Sequence, residues 1–493
     1  MAHFKRRYEK LFLLIDQSSI VVGEKLYCIL NLYFLIITLI KNEAIMLRIE
    51  KQDLLKWFAD GAKPRENWKI GTEHEKFVFH IDNLERVGYF GKSGISDLLN
   101  KLARENNWEK ILENSNTIAL KDETGASISL EPGGQLELSG TPLDNLHQTC
   151  KETGKHLKMM KEAMKELGLS MIGLGYDPKW SRSDQKWMPK GRYEIMKNYM
   201  PKVGQLGLDM MLRTCTIQVN LDYLNEKDMV QKFQISLALQ SVATALFANS
   251  PFIEGKESGY LSSRAIVWTD TDPDRTGVPK IVFEPNFGYE SWLNYILNVP
   301  MYFIYRDGKY IDVSGKSFLD FMDGNLDGFK GEYPTMKDWE DHITVAFPEV
   351  RLKQYLEMRG ADGGPWNIIC ALPALWVGLL YDGEAQSEAF NLAKPLMNTN
   401  LLEEGRISAA KFGLGGKLGN KSIQDIALEM LTISSSGLAR RNQLDNRGMD
   451  ERQFLDPLFD IVKNKQTGAE KLLQKYNSSW NGNINKIFTE NAF

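Results

Sequence analysis

The stretch 70–79 (IGTEHEKFVF) is dense in strand-forming residues. Strand side chains point alternately to opposite faces, so Glu73 and Glu75 emerge together on one face and His74 on the other. The same period of two recurs three times. Across 127–138 it places Glu131, Gln135 and Glu137 opposite Leu130, Leu136 and Leu138, in one strand or in two broken at Pro132, Gly133 and Gly134. Across 213–223 it sets Thr214, Thr216, Gln218, Asn220 and Asp222 against Cys215, Ile217, Val219 and Leu221. Across 350–359 it sets Arg351, Lys353, Tyr355, Glu357 and Arg359 against Val350, Leu352, Leu356 and Met358, with a Gly-rich turn following at 360–365.

A hairpin is expected over 301–310, turning at Asp307 and Gly308. Helices are expected at 53–58, 96–104, 145–167 and 229–248, the last stopped by Asn249, Ser250 and Pro251, and over most of the chain from Pro373 onward. Long and varied insertions separate the strands where regular crossover helices would mark a parallel sheet. The class expected is therefore α+β with a mainly antiparallel sheet.

Composition narrows the function classes. The 493 residues are 43% hydrophobic and 25% charged, as in ordinary globular proteins, and suffice for two or three domain-sized units or one large sheet enzyme with helical additions. A net charge of −4 with interspersed signs offers no footprint for nucleic acid. Cys28, Cys150, Cys215 and Cys370 have no CxxC spacing and are too sparse for a disulfide scaffold or a zinc site, so a reducing, cytoplasmic compartment is expected. Lys5, Arg6, Arg7 and Lys10 precede an apolar run at 26–40 that is shorter than the ~20 residues a span needs and is not followed by a small-residue cleavage site. Residues 1–45 read as an extension outside the fold proper, which spans 46–493, and no stable membrane association is expected.

A lone Glu-x-Glu pair is usually a solvated strand edge, and each polar face here could be solvated on its own. Two strands, however, carry carboxylates and a third carries arginines with a glutamate. Carboxylate oxygens suit hard cations such as Mg²⁺, and arginines with Lys353 balance phosphate charge, which together make the apparatus of phosphoryl transfer. Other motifs fail. Asp270, Asp272 and Asp274 lack the Gly and closing Glu of an EF-hand, and the glycines at 413–419 lack P-loop spacing.

The segments IGTEHEKF (70–77), SLEPGGQLELSG (129–140), LHQTC (146–150) and MPKGRYEIMKNYMPKVGQLGLDMMLRTCTIQVNLD (188–222) closely resemble plant-type glutamate–cysteine ligase, a form also found in many proteobacteria. ATALFANSPF (243–252), WTDTDPDRTG (268–277), PMYFIYRDGKY (300–310) and FPEVRLKQYLEMRGADGGPW (347–366) extend the resemblance, which covers roughly 47–481 and thins after about 382. It implies a glutamine synthetase-like fold, ATP and Mg²⁺ as cofactors, and ligation of glutamate to cysteine through γ-glutamyl phosphate, the first step of glutathione synthesis. By resemblance Glu73, Glu75, Glu131, Glu137 and Glu357 belong to the Mg²⁺ sites. Arg359 and Arg351 act with Glu357 at the nucleotide phosphates, and Arg264 meets a glutamate carboxylate. Gln218, Arg213, Tyr302, Arg306 and Trp366 are further substrate candidates, although Arg213 has the parity opposite to Gln218 and could anchor its strand from behind.

Cys150 and Cys370 match a redox-responsive disulfide pair of that family. The second pair of the plant enzymes is absent, with Val313 at one of its positions, so oxidation is expected to act through Cys150 and Cys370 alone. Small-molecule substrates and a monomer or homodimer are implied. A related carboxylate–amine ligase with another acceptor, or a non-catalytic nucleotide-binding homologue, are the alternatives.

Overall fold

The computed structural model describes residues 48–493, so the extension expected at 1–45 lies outside the described residues. Nine antiparallel strands form the central sheet: β1 (Ile70–His80), β2 (Glu109–Glu113), β3 (Asn116–Lys121), β4 (Ser127–Leu130), β5 (Leu136–Ser139), β6 (Leu169–Ile172), β7 (Thr216–Leu221), β8 (Val350–Leu352) and β9 (Leu356–Asp362). Their order is β8-β9-β7-β1-β5-β4-β3-β2. Strand β1 is central because both of its edges are paired. One edge meets β5, and the other meets β7 and then β6 as the chain advances. The run Phe77, Val78 and Phe79 is apolar without alternation because both faces are covered at that end.

Helices α1 (Leu146–Glu166), α2 (Gly191–Tyr199), α3 (Gly207–Arg213), α4 (Glu226–Leu246), α5 (Ser263–Val267) and α6 (Trp366–Leu380) position the site. Helices α1 and α6 lie against β1 and β7, and α4 packs on β8 and β9. Buried Leu136, Leu138, Ile217, Val219 and Leu221 give the sheet its apolar face. Asn145 and Asn225 start α1 and α4, each accepting a backbone N–H of the first turn. The α+β class with an antiparallel sheet is the one expected. Among the described residues no single helix is long and apolar enough to cross a membrane.

The segment 127–138 takes the two-strand form of the expectation, β4 and β5, because Gly134 adopts φ +77° and its N–H closes a turn on the Glu131 carbonyl at 2.9 Å. Three boundaries differ from expectation, each for a local reason. The strand expected from Arg213 begins only at Thr216, because GLDMMLR (207–213) forms about two turns of helix that bury Met210, Met211 and Leu212. The strand expected over 350–359 is a hairpin in which Arg351 pairs with Glu357. Its turn is closed by Lys353 N–H on the Tyr355 carbonyl at 2.8 Å, and Gln354 donates to the Trp57 carbonyl at 3.1 Å. Finally, Gly360 to Asp362 extend β9 beyond a bulge, and α6 starts at Trp366 with Pro373 inside it. The hairpin expected at 301–310 is found as Phe303–Arg306 with Lys309–Asp312, turning at Asp307 (φ 49°) and Gly308 (φ 79°).

Candidate active site

The sheet register brings the acidic strands together. Glu75 lies directly opposite Glu137 on β5, and Glu73 lies between Gln218 on β7 and Ser139 on β5. One strand further, Glu357 on β9 faces Asn220 on β7, whose amide donates to Glu73 Oε1 at 2.7 Å. Glu131, just past β4, completes a wall of five glutamates lining one cavity of about 420 Å³. The roof comes from α2 (Arg192, Tyr193, Met196), α3 (Met210, Met211), Arg264 of α5, Trp268, Phe303 and the segment Thr344 to Phe347.

The charges on the two sides of this cavity behave differently. Burial pushes the Glu73 carboxyl up to about 7, helped by Glu357 and Glu137. Burial likewise holds Glu75 well above the usual carboxylate range, with Glu131 and Glu137 adding repulsion, and Glu137 is raised by burial and by Glu131. Glu357 is the exception. Burial alone would raise it, but Arg351, Lys353 and Arg359 override that and hold it well below the usual range. Its Oε2 accepts from Arg351 Nε at 2.7 Å and from Arg359 Nη1 at 2.8 Å, while Lys353 Nζ stands 3.3 Å from Oε1.

The arginines divide in the same way. Arg351 also donates to the carbonyls of Thr344 and Ala346, both at 2.8 Å, so its fork is spent inside the protein. Arg359 Nη1 also bonds Gln218 Oε1 at 2.7 Å. Arg264 donates to the Arg359 carbonyl at 2.8 Å and keeps a buried Nε without a partner among the described residues. Arg192 lines the cavity and forms no ion pair among the described residues. It was missed in the reading of the sequence, where its only signal lay in the 188–222 resemblance. It sits on α2, outside the strands whose alternation was being followed.

Four expected substrate residues lie outside this cavity, and their expected role is corrected accordingly. Arg213 ends α3 and is buried, bonding Asp209 at 3.0 Å and Glu254 at 3.2 Å over the Tyr176 ring. Tyr302 is 1% exposed, under the Arg275 guanidinium. Arg306 is clamped by Asp338 at 2.6 and 2.9 Å. Trp366 starts α6 and reaches the Cys150 carbonyl at 3.4 Å. Cys150 and Cys370 form a disulfide, with Cα atoms 5.5 Å apart across 220 residues of sequence.

The donor set suits a hard cation. The five glutamates on its wall are hard oxygen donors, and glutamates that repel one another lose that repulsion when a cation or proton intervenes. Among the described residues no three such side chains converge on a single ready-made ligand point. That agrees with a metal held by one or two carboxylates together with water and substrate phosphates.

The family described as Glutamate-cysteine ligase family 2 (GCS2) matches residues 69–490. Glutamate–cysteine ligase B of Oryza sativa subsp. japonica is 51% identical over 442 residues, covering 90% of this chain and 87% of its own. The ligase of Arabidopsis thaliana is 49% identical over 442 residues, covering 90% and 83%. A crystal structure of a Francisella tularensis glutamate–cysteine ligase with AMP aligns over 85% of this chain and 86% of its own, at 13% identity and a TM-score of 0.48, too remote to carry any argument. The plant relatives are named chloroplastic, which overturns the cytoplasmic expectation. Sparse cysteine marks a reducing environment and does not tell one reducing compartment from another. With half of its residues shared with these ligases over nine-tenths of its length, and its acidic strands gathered on one cavity, the chain belongs to glutamate–cysteine ligase family 2.

Proposed function

We propose that the chain joins the γ-carboxylate of glutamate to the amino group of cysteine, driven by ATP, giving γ-glutamylcysteine, ADP and phosphate. One observation carries the reading. Five glutamates and four arginines line a single cavity, and two of the arginines, Arg192 and Arg264, have no carboxylate partner among the described residues.

In this scheme a γ-carboxylate oxygen of glutamate takes the terminal phosphoryl group of ATP, and ADP leaves. The cysteine nitrogen, having lost a proton, then attacks the acyl carbon, and phosphate leaves. Little covalent work falls to the protein, whose task is positioning and charge stabilisation. Arg264 suits the glutamate carboxylate, and Arg192 suits the charge of the phosphoryl group; each offers a planar guanidinium with no carboxylate partner among the described residues. Arg351, Arg359 and Lys353 hold Glu357 ionised, and Gln218 orients Arg359. Glu73, Glu75, Glu131, Glu137 and Glu357 would hold Mg²⁺, which would supply positive charge to offset that of the phosphates. Met196, Met210 and Met211 offer the thiol of cysteine a soft, apolar surface.

The test is ADP release from ATP, glutamate and Mg²⁺ with and without cysteine, run on the full chain and on a chain beginning at Met46. Cysteine-dependent release of γ-glutamylcysteine is expected from both. Release that ignores cysteine or follows another amine overturns the assignment.

A further inference from the structure

Helix α5, which carries Arg264, is only five residues long. A helix that short does not hold its own conformation in water, so its place over the cavity must be fixed from outside. The anchor is Asp362, the last residue of β9 and 1% exposed. Its Oδ2 accepts the Ser250 hydroxyl at 2.6 Å and the Asn249 N–H at 2.8 Å, and its Oδ1 accepts the Ser262 hydroxyl at 2.7 Å. A buried carboxylate is costly unless such bonds replace its water. Gly175 keeps it in place, since a Cβ there would stand 2.2 Å from the Asp362 carboxyl carbon.

The backbone fixes the direction of each bond. Arg264 N–H donates to Ser250 Oγ at 3.3 Å, and Ala265 N–H donates to Ser262 Oγ at 3.2 Å. A backbone N–H can only donate, so each hydroxyl accepts there and keeps its single hydrogen for Asp362. One carboxylate thus aims two hydroxyls at the first turn of α5, where N–H groups lack partners within the helix.

The far end of Arg264 returns to the same strand. Its Nη2 donates to the carbonyl of Arg359, three residues before Asp362 on β9. Strand β9 therefore grips Arg264 at both its main chain and its guanidinium, while carrying Glu357 and Arg359 into the cavity that Arg264 lines. The distance between this arginine and the acidic wall is set by the strand.

We propose that Asp362 is a positioning residue for glutamate binding, acting through Ser250 and Ser262 on Arg264 without touching the substrate. The inference rests on the role given above to Arg264, as the arginine that meets the glutamate carboxylate. In Asp362→Asn the amide hydrogens confront one of the two hydroxyls, which then has no acceptor for its own hydrogen. Ser262→Ala removes one of the two relays outright.

The test is steady-state kinetics of the full chain, with KM measured separately for glutamate, ATP and cysteine in wild type, Asp362→Asn, Ser262→Ala and Arg264→Ala. In the first two variants the glutamate KM should rise about tenfold, the scale of one lost helix-cap bond. The KM values for ATP and cysteine should stay within about twofold of wild type, and kcat should change less than the glutamate KM. Should Asp362→Asn fail to fold, Ser262→Ala decides alone. A cluster that merely supports the fold would move all three KM values together, or lower kcat at an unchanged glutamate KM, and either result overturns the proposal. It is also overturned if Arg264→Ala raises the glutamate KM and the other two variants do not. An Arg264→Ala enzyme with the wild-type glutamate KM would instead remove the role of Arg264, and the proposal with it.

Discussion

Glu75 and Glu137 face each other across one strand pair, and neither forms an ion pair among the described residues. Directly opposed like charges destabilise a sheet, so this pair weakens the fold that carries it. Glu75→Gln should therefore stabilise the ligand-free chain, by about 1 kcal/mol. The same change should lower ATP turnover by roughly 100-fold or more, the scale of losing one group that stabilises transferring charge. Thermal melts and ADP release measured side by side check both signs. A variant that melts lower and still turns over would reveal a structural glutamate.

Glu73 gives the pH dependence of the same wall. Its carboxyl is raised from 4.5 to about 7, roughly 3 kcal/mol between the two charge states. The folded chain holds this proton where the unfolded chain has lost it, so the contribution is full below pH 4.5 and fades as pH rises to about 7. Buried His74 and His156, both held well below the usual histidine range by burial, act with the opposite sign in part of that window. The informative quantity is consequently the difference between wild type and Glu73→Gln. Wild-type stability relative to the variant should fall between pH 4.5 and 7, and a constant difference would count against a raised Glu73.

At the scale of elements, the β8–β9 hairpin carries a structural arginine, in contrast to Arg264 of α5, which is proposed to bind substrate. Arg351 closes the hairpin on buried Glu357 and ties down the carbonyls of Thr344 and Ala346. Arg351→Ala leaves Glu357 with Arg359 and Lys353 but strands the carbonyls of Thr344 and Ala346, and should cost about 1–3 kcal/mol for each buried group left unpaired. Arg264→Ala breaks no ion pair and should act on turnover, with a smaller loss of stability. Denaturant midpoints beside ADP release distinguish the two.

This hairpin also shows what the sequence could and could not disclose. The shared face of Arg351, Lys353, Tyr355, Glu357 and Arg359 was legible because a period of two survives a tight turn that keeps the parity. The turn itself was hidden, since Lys353, Gln354 and Tyr355 contain none of the usual turn residues and rely on the distant Trp57 carbonyl. Glu73, Glu75, Glu131 and Glu137 were legible for the same periodic reason. Arg192 and the helical setting of Arg213 were not, because roof residues come from short helices whose place over the sheet is decided by packing at long range. Tyr302, Arg306 and Trp366 sit in segments that resemble the family, and resemblance alone does not say which side chains reach the cavity.

At the scale of the whole molecule, the Cys150–Cys370 disulfide joins α1 to α6, the two helices that back the sheet opposite the carboxylate wall. Helix α6 follows within four residues of the end of β9, the strand of Glu357 and Arg359. Helix α1 covers Lys76 behind Glu75 through His156. The bridge therefore constrains the backing of both sides of the cavity without touching it. A bridge across 220 residues restricts the unfolded chain strongly, and its loss should cost about 2–5 kcal/mol. Reductant should accordingly lower the melting midpoint of the wild type and leave that of Cys150→Ser unchanged. Because both helices back β1, we further propose that reduction changes turnover, and that Cys150→Ser abolishes this response as well. Cys215 is a buried free thiol whose pKa is raised by burial, so it is poorly placed to react in their stead. A redox response of activity that persisted in Cys150→Ser would place the control elsewhere in the chain.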